Sequence, residues 1–327
     1  MAGLYRAAGC TIGPASPVKL KVLELLPKAP ALGSWGNGWV LYSESDFDAR
    51  MATAAAMGAN CVKVSCNGLT TSGYPGPVVM ERNIQSYCNL LRKYGLKHYM
   101  SLVGPQEIVG YDGTLFNTNV PIIQSNVALW MKHGADLMVG GDICNEIQFG
   151  GVRPWGAEGS LTYTVRQAND LTAFLAAIRA VAPAVPWSFS VYHPNSSAMT
   201  CDLMKLQGML GCDFHDYHPY NGTNGGSMAL GDSRIPKSSD CAALEAAPWF
   251  RGRHLIGECG VLSTNSDQAT LAYITGLAAQ ASRPLSAGGV LFGDVDYTDA
   301  ANNPQPYGIT GHPAQIQAFT SWPNATL

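Results

Sequence analysis

Charge is scarce in this chain. Its 327 residues hold 20 Lys and Arg against 23 Asp and Glu, 13% of the total, about half of what globular chains carry. With a formal net charge of −3 and no run of basic residues, a nucleic-acid footprint is excluded. Long apolar runs are missing as well. No stretch of about 18 apolar residues escapes a polar break, so no membrane span and no membrane partner are expected. The nine cysteines include no Cys-x-x-Cys pair, which argues against a zinc site or a redox motif. No Gly-x-Gly-x-x-Gly or Gly-x-x-x-x-Gly-Lys-Ser/Thr loop follows an early strand, and no Gly-x-Ser-x-Gly elbow occurs. Residues 1–6 show no charged leader followed by an apolar run. The expectation is an intracellular or virion-associated protein, or a secreted one whose leader has been removed.

Polarity comes instead from 36 Gly, 20 Pro and many Ser, Thr and Asn. An odd number of cysteines leaves at least one outside any intramolecular disulfide. Cys61, Cys144 and Cys259 sit in apolar runs, where a thiol behaves as a small buried hydrophobe. Reduced thiols are expected, with pairing among Cys201, Cys212 and Cys241 open.

From residue 46 onward, helix-like and strand-like segments alternate. Asp46 can cap a helix through Phe47 and Met51 that Gly58 stops, and a strand over 60–65 follows. Helices are expected at about 81–94, 121–133, 163–182, 199–210, 241–250, 267–281 and 313–320. The strands between them fall at 97–103, 136–144, 187–192, 213–217, 254–258 and 289–292. These strands are short apolar runs without alternation, as parallel strands buried on both faces should be. For the first strand, 9–12, 20–26 and 38–42 all qualify. Counting one of them gives eight units and an α/β fold, a (β/α)₈ TIM barrel that uses residues 1–327 as a single domain. Residues 1–45 then hold the unassigned first strand and a Trp-rich loop. A doubly wound open sheet is the competing topology.

In such a barrel, function gathers at the C-terminal ends of the strands. Two glutamates there close apolar runs, Glu146 in Gly141-Asp142-Ile143-Cys144-Asn145-Glu146 and Glu258 in Leu255-Ile256-Gly257-Glu258-Cys259-Gly260. A carboxylate in that setting is costly to desolvate and is seldom placed there for packing. Strands four and seven lie far apart around the barrel, so the two carboxyl groups can face each other across its mouth. Two carboxyl groups about 5–5.5 Å apart can run a retaining glycosidase reaction.

These residues resemble the two signature sites of clan A glycoside hydrolases, most nearly family 5. The resemblance implies Glu146 as acid/base and Glu258 as nucleophile, with Asn145 on the sugar 2-hydroxyl. His218-Pro219-Tyr220 is similar to the clan's His-x-Tyr on strand six, which implies that Tyr220 bonds the nucleophile and His218 lines the site. Met57-Gly58-Ala59-Asn60-Cys61-Val62-Lys63-Val64 looks like the clan's second strand, with Lys63 where an Arg is usual. Lys keeps the charge but not the planar fork of donors. Val103 stands where family 5 commonly has a His, and Phe292 near the place of a usual Trp. The resemblance spans about residues 46–292. It implies cleavage of a β-linked polysaccharide or oligosaccharide, with endo action and no cofactor.

Sugar rings stack on flat side chains, and Trp35, Trp39 and Trp155 in loops are the candidates, with Tyr192, His193 and Phe292 also placed to line a cleft. Trp130, Trp187 and Trp249 read as core. His215-Asp216-x-His218 has a metal-like look, but alternation sends His215 and His218 to opposite faces, so no metal is expected. Alternation also turns Cys144 and Cys259 away from the glutamates. The rivals to a retaining endo-glycanase are a non-catalytic carbohydrate-binding or virion-associated barrel, and an exo-β-glycosidase or transglycosylase. Sugar identity, linkage and oligomeric state are not legible.

Overall fold

The computed structural model describes residues 19–25, 43–65, 76–103, 114–147, 165–192, 205–218, 245–250, 252–260, 267–291, 293–294, 297–298, 304–305 and 308–322. Parallel strands close into a barrel: β1 (Leu20–Glu24), β2 (Cys61–Ser65), β3 (Lys97–Ser101), β4 (Met138–Asp142), β5, β6 (His215–His218), β7 (His254–Cys259) and β8 (Ser286–Leu291). β5 comes in two pieces, Trp187–Ser188 paired with β4 and Ser190–Tyr192 paired with β6. β1 pairs with both β2 and β8, which seals the other seam. Around the barrel run α1 (Glu44–Ala56), α2 (Pro77–Tyr94), α3 (Thr114–Gly134), α4 (Val165–Val181), α5 (Asp267–Ala281) and α6 (Pro313–Thr320). A two-stranded antiparallel ribbon, β9 (Tyr297–Thr298) with β10 (Pro304–Gln305), follows β8.

The fold is the (β/α)₈ barrel expected, and the first strand is the middle candidate. Several boundaries move. Ser43, not Asp46, caps α1: its Oγ accepts the Asp46 N–H at 3.4 Å, while Asp46 bonds Arg50 one turn on. α3 begins at Thr114 and carries Pro121 inside it, so that proline does not open the helix. α2 ends as expected at Gly95, whose φ of 67° is the left-handed conformation that suits a residue without Cβ. Residues 205–209 are helical.

Two apolar layers result. One lies between strands and helices and includes Trp130 and Trp187. The other fills the inside of the barrel with Leu20, Val22, Cys61, Tyr99, Val139, Phe214, Leu255, Ala287 and Val290. Cys61, Cys88, Cys144, Cys212 and Cys259 are buried, reduced thiols. Among the described residues no helix is long and apolar enough to cross a membrane.

Candidate active site

Above the inner apolar layer the strands present charge. Alternation along a strand puts residues two apart on one face, so Leu20, Val22 and Glu24 share the interior face of β1. Cys61 and Lys63 do the same on β2, and Phe214, Asp216 and His218 along β6. Glu24, Lys63, Asp142, Asp216 and His218 are inaccessible to solvent, and Glu258 is 5% exposed. Glu258 reaches this face through an irregularity. The β7–β8 register shifts between Ile256 and Cys259, and such a bulge re-aims a side chain. It leaves Gly257 facing Asp216 and Cys259 turned outward, where its Sγ donates to the Val290 carbonyl at 3.1 Å.

Glu146 lies not at the end of a strand but in the turn four residues past Asp142. It is the one non-glycine residue at positive φ among the described residues, at 49°. Such a conformation costs about 1 kcal/mol or more and persists only where its surroundings impose it. Here they do. The Glu146 N–H donates to Ser190 Oγ at 2.8 Å, and the Asn145 N–H to the Val103 carbonyl at 2.7 Å. Ser190 Oγ donates in turn to Asp142 Oδ2 at 2.8 Å, while Asp142 Oδ1 accepts the Cys144 and Ser190 N–H groups. Asp142 therefore organises the turn that carries Glu146.

The two glutamates meet on His218. Its Nδ1 lies 2.9 Å from Glu146 Oε1 and 3.0 Å from Glu258 Oε2, while Nε2 faces Asp216 Oδ1 at 3.6 Å. An oxygen of Glu146 and one of Glu258 lie within 4.8 Å of each other. On its other side Glu258 meets Lys63, whose Nζ is 3.3 Å from Oε1, and the same ammonium is 3.2 Å from Glu24 Oε2. Tyr99 donates its hydroxyl to Asp216 Oδ2. Lys63 does not snorkel to solvent; it sits under the site.

Burial by itself would raise the Glu258 carboxyl, but Lys63 and His218 overturn that and hold it below the usual range. Burial would likewise strip His218 of its proton, yet Glu258, Glu146 and Asp216 push its pKa up to about 10. Asp142 is pushed up to about 7 by burial and by Asp216. The site thus holds an imidazolium and an ammonium against one firmly ionised glutamate.

Asp142, Asp216 and His218, and separately Glu146, His218 and Glu258, bring donor atoms close enough to share a cation. A doubly protonated imidazole has no lone pair to offer a metal, and the Asp142 oxygens already accept three bonds. The set fits a charge network better than a metal centre.

Of the residues singled out in the sequence, Glu146, Glu258, Asn145, His218 and Lys63 come together. Trp35, Trp39, Trp155, His193, Tyr220 and Phe292 lie outside the described residues, as does the side chain of Tyr192, whose backbone pairs with His218. His215 faces away from His218, stacked on Phe250 at 4.8 Å with its Nδ1 3.2 Å from Gln207 Oε1. Glu24, Asp142, Asp216 and Ser190 were not anticipated. A strand-end carboxylate beside apolar residues was the available signal for Glu24 and Asp142, whereas Asp216 sits inside β6 between His215 and Tyr217.

The β-mannanase of the blue mussel Mytilus edulis superposes on this chain with a TM-score of 0.58 at 12% identity, covering 92% of this chain and 91% of that one. The GH5_18 protein of Streptomyces cattleya, solved with GlcNAc, gives 0.59 at 14% identity over 94% and 83%. A β-glycosidase gives 0.61 at 11% over 95% and 97%. The fold is that of the glycosidase barrels. No family model and no curated protein sequence matches. At these identities the likeness speaks for the architecture alone.

Proposed function

We propose that the protein is a retaining glycoside hydrolase that cleaves a β-linked polysaccharide or oligosaccharide by double displacement. The observation that carries this reading is that an oxygen of each carboxyl group lies within 4.8 Å of the other, both against the His218 ring. That spacing suits the roughly 5 Å of retaining pairs better than the about 6.5–9.5 Å of inverting ones.

In this mechanism Glu258, ionised by Lys63 and His218, attacks the anomeric carbon. Glu146, protonated, gives its proton to the departing oxygen. Glycosylation turns Glu258 into a neutral ester, and the His218 N–H, within 3.0 Å of both carboxyl groups, then serves the newly formed Glu146 carboxylate. Glu146 next takes a proton from the attacking water, and the ester bond to Glu258 breaks. One donor thereby follows the negative charge from one glutamate to the other without moving far. Preorganised donors of this kind are among the larger contributions to catalysis.

Endo action is part of the proposal, and the shared architecture with β-mannanases makes mannan the first substrate to try. The test is release of reducing ends from mannans, β-glucans, xylans and bacterial surface polysaccharides, with Glu258→Ala alongside. Release by wild type alone supports the reading. A silent wild type that also fails to form a covalent adduct with 2-fluoro-glycosides sinks it and favours a carbohydrate-binding barrel.

A further inference from the structure

We propose that Glu24 is a positioning residue for Glu258, holding its carboxyl group from the β1 side through a direct hydrogen bond and through the shared ammonium of Lys63. The proposal rests on the reading of Glu258 as nucleophile and adds a partner to it.

Register places the pair. Glu24 and Lys63 are Cα partners across the β1–β2 ladder, and both point into the barrel. Lys63 Nζ lies 3.2 Å from Glu24 Oε2, 3.3 Å from Glu258 Oε1 and 3.4 Å from the Gly257 carbonyl. The ammonium donates to Glu258 and to the Gly257 carbonyl and pairs with Glu24 by charge. The Glu24 and Glu258 carboxyl groups are also in hydrogen-bond contact with each other. A bond between two carboxyl groups needs one proton between them, because two adjacent carboxylates repel and neither can donate.

The charged and titratable groups around this pair decide where the proton rests. Lys63 comes from β2, Asp142 from β4, Asp216 and His218 from β6 and Glu258 from β7. Glu258 has two cations against it, Lys63 and His218. Glu24 pairs with Lys63 and is wholly shut off from solvent, where an ionised carboxyl is costliest. The proton therefore sits on Glu24. In agreement, burial pushes the Glu24 carboxyl well above the usual range, while Glu258 stays below it. A neutral Glu24 does two things for Glu258. It donates a hydrogen bond to the carboxylate, and it leaves the Lys63 charge undivided. An ionised Glu24 would compete for Lys63 and repel Glu258.

The experiment is carboxyl ¹³C NMR on protein labelled at glutamate, with Glu258→Gln to assign the Glu258 signal, on wild type, Glu24→Gln and Glu24→Ala. At pH 7 the wild type is expected to show a neutral-acid carboxyl signal that Glu24→Gln removes. Gln still offers an N–H donor, so the Glu258 midpoint should stay near the wild-type value in that variant. In Glu24→Ala it should rise by about one to two pH units, the size of a hydrogen bond to a charged group. The acidic limb of kcat/KM should follow the same order, with kcat lowered about tenfold or more in Glu24→Ala and KM within a few-fold.

An ordinary ionised signal for Glu24 at pH 7 overturns the proposal, as does a Gln variant that shifts the limb as far as Ala. If Glu24→Ala does not fold, the wild-type and Gln spectra still decide. Absence of turnover with this NMR pattern intact defeats the glycosidase reading and leaves Glu24 as the holder of Glu258. Turnover without the pattern does the reverse.

Discussion

A Cβ on Gly257 would overlap the carboxylate of Asp216, which already accepts the Tyr99 hydroxyl and cannot retreat freely. Gly257→Ala is expected to destabilise the fold by about 1–3 kcal/mol, as overpacking does, and to lower kcat because it displaces the residue beside Glu258. Thermal unfolding checks the first part. Combining it with Asp216→Ala, which empties the contested space, should cost less than the two changes added. Lys63→Met works through charge: it strands a buried carboxylate with His218 alone, so about 3 kcal/mol of stability should go, and the acidic limb of kcat/KM should move up. A denaturant titration and a pH profile measure both. Glu146 and Glu258 were legible because a carboxylate amid apolar residues has no packing reason to be there. Glu24 was not, since 20–26 was one of three segments that qualified as the first strand. In the structure the Lys21 ammonium donates to the Thr320 carbonyl while Glu24 turns into the barrel.

Elements were legible where local chemistry sets them and illegible where a distant side chain does. The 267–281 and 313–320 helices stand as read, and α2 stops at its glycine. Residues 187–192, in contrast, read as one strand and form two pieces. The cause lies elsewhere in sequence: the Phe189 carbonyl is taken by Gln207 Nε2 at 2.6 Å, which also donates to the Asp216 carbonyl at 2.6 Å. One buried amide thus bridges β5 and β6 and breaks the ladder without leaving an acceptor orphaned. Gln207→Leu keeps much of the volume but removes both donations. The Phe189 carbonyl keeps the Ser188 hydroxyl at 3.1 Å, so a loss of about 1–3 kcal/mol, that of one buried acceptor left unmet, is expected. Hydrogen exchange should speed up in β5 and β6 before β1 and β2. Uniform exchange across the barrel would refute the bridging role.

At the scale of the molecule, a chain poor in charge spends several of its ionisable groups inside the barrel, and that distribution dictates how stability follows pH. His218 has a folded pKa of about 10 against an ordinary 6.5. Its contribution is complete below pH 6.5 and drains away as pH rises from 6.5 to 10, because the unfolded chain releases a proton that the fold retains. His98 does the opposite. Stacked on Trp130 at 4.8 Å and buried, it has its pKa pushed down to about 3. Its contribution is complete above 6.5 and is lost as pH falls from 6.5 toward 3. Glu258, held below the usual carboxylate range, adds to the acid-side loss once pH falls below about 4.5. Asp142, raised to about 7, and Glu24, raised well above the usual range, keep protons that the unfolded chain releases above about pH 4, so they oppose His98 up to neutrality. The unfolding free energy should therefore fall clearly below about pH 4.5 and again as pH rises from 6.5 to 10. His218→Gln should flatten the alkaline decline and leave the His98 part of the acid one, while the Glu258 part shrinks because His218 helps to hold that carboxyl down. Denaturant unfolding of both proteins from pH 4 to 10 measures this. A wild type equally stable from pH 6.5 to 10 would mean that His218 gives up its proton in the fold, and the imidazolium that joins Glu146 to Glu258 would go with it.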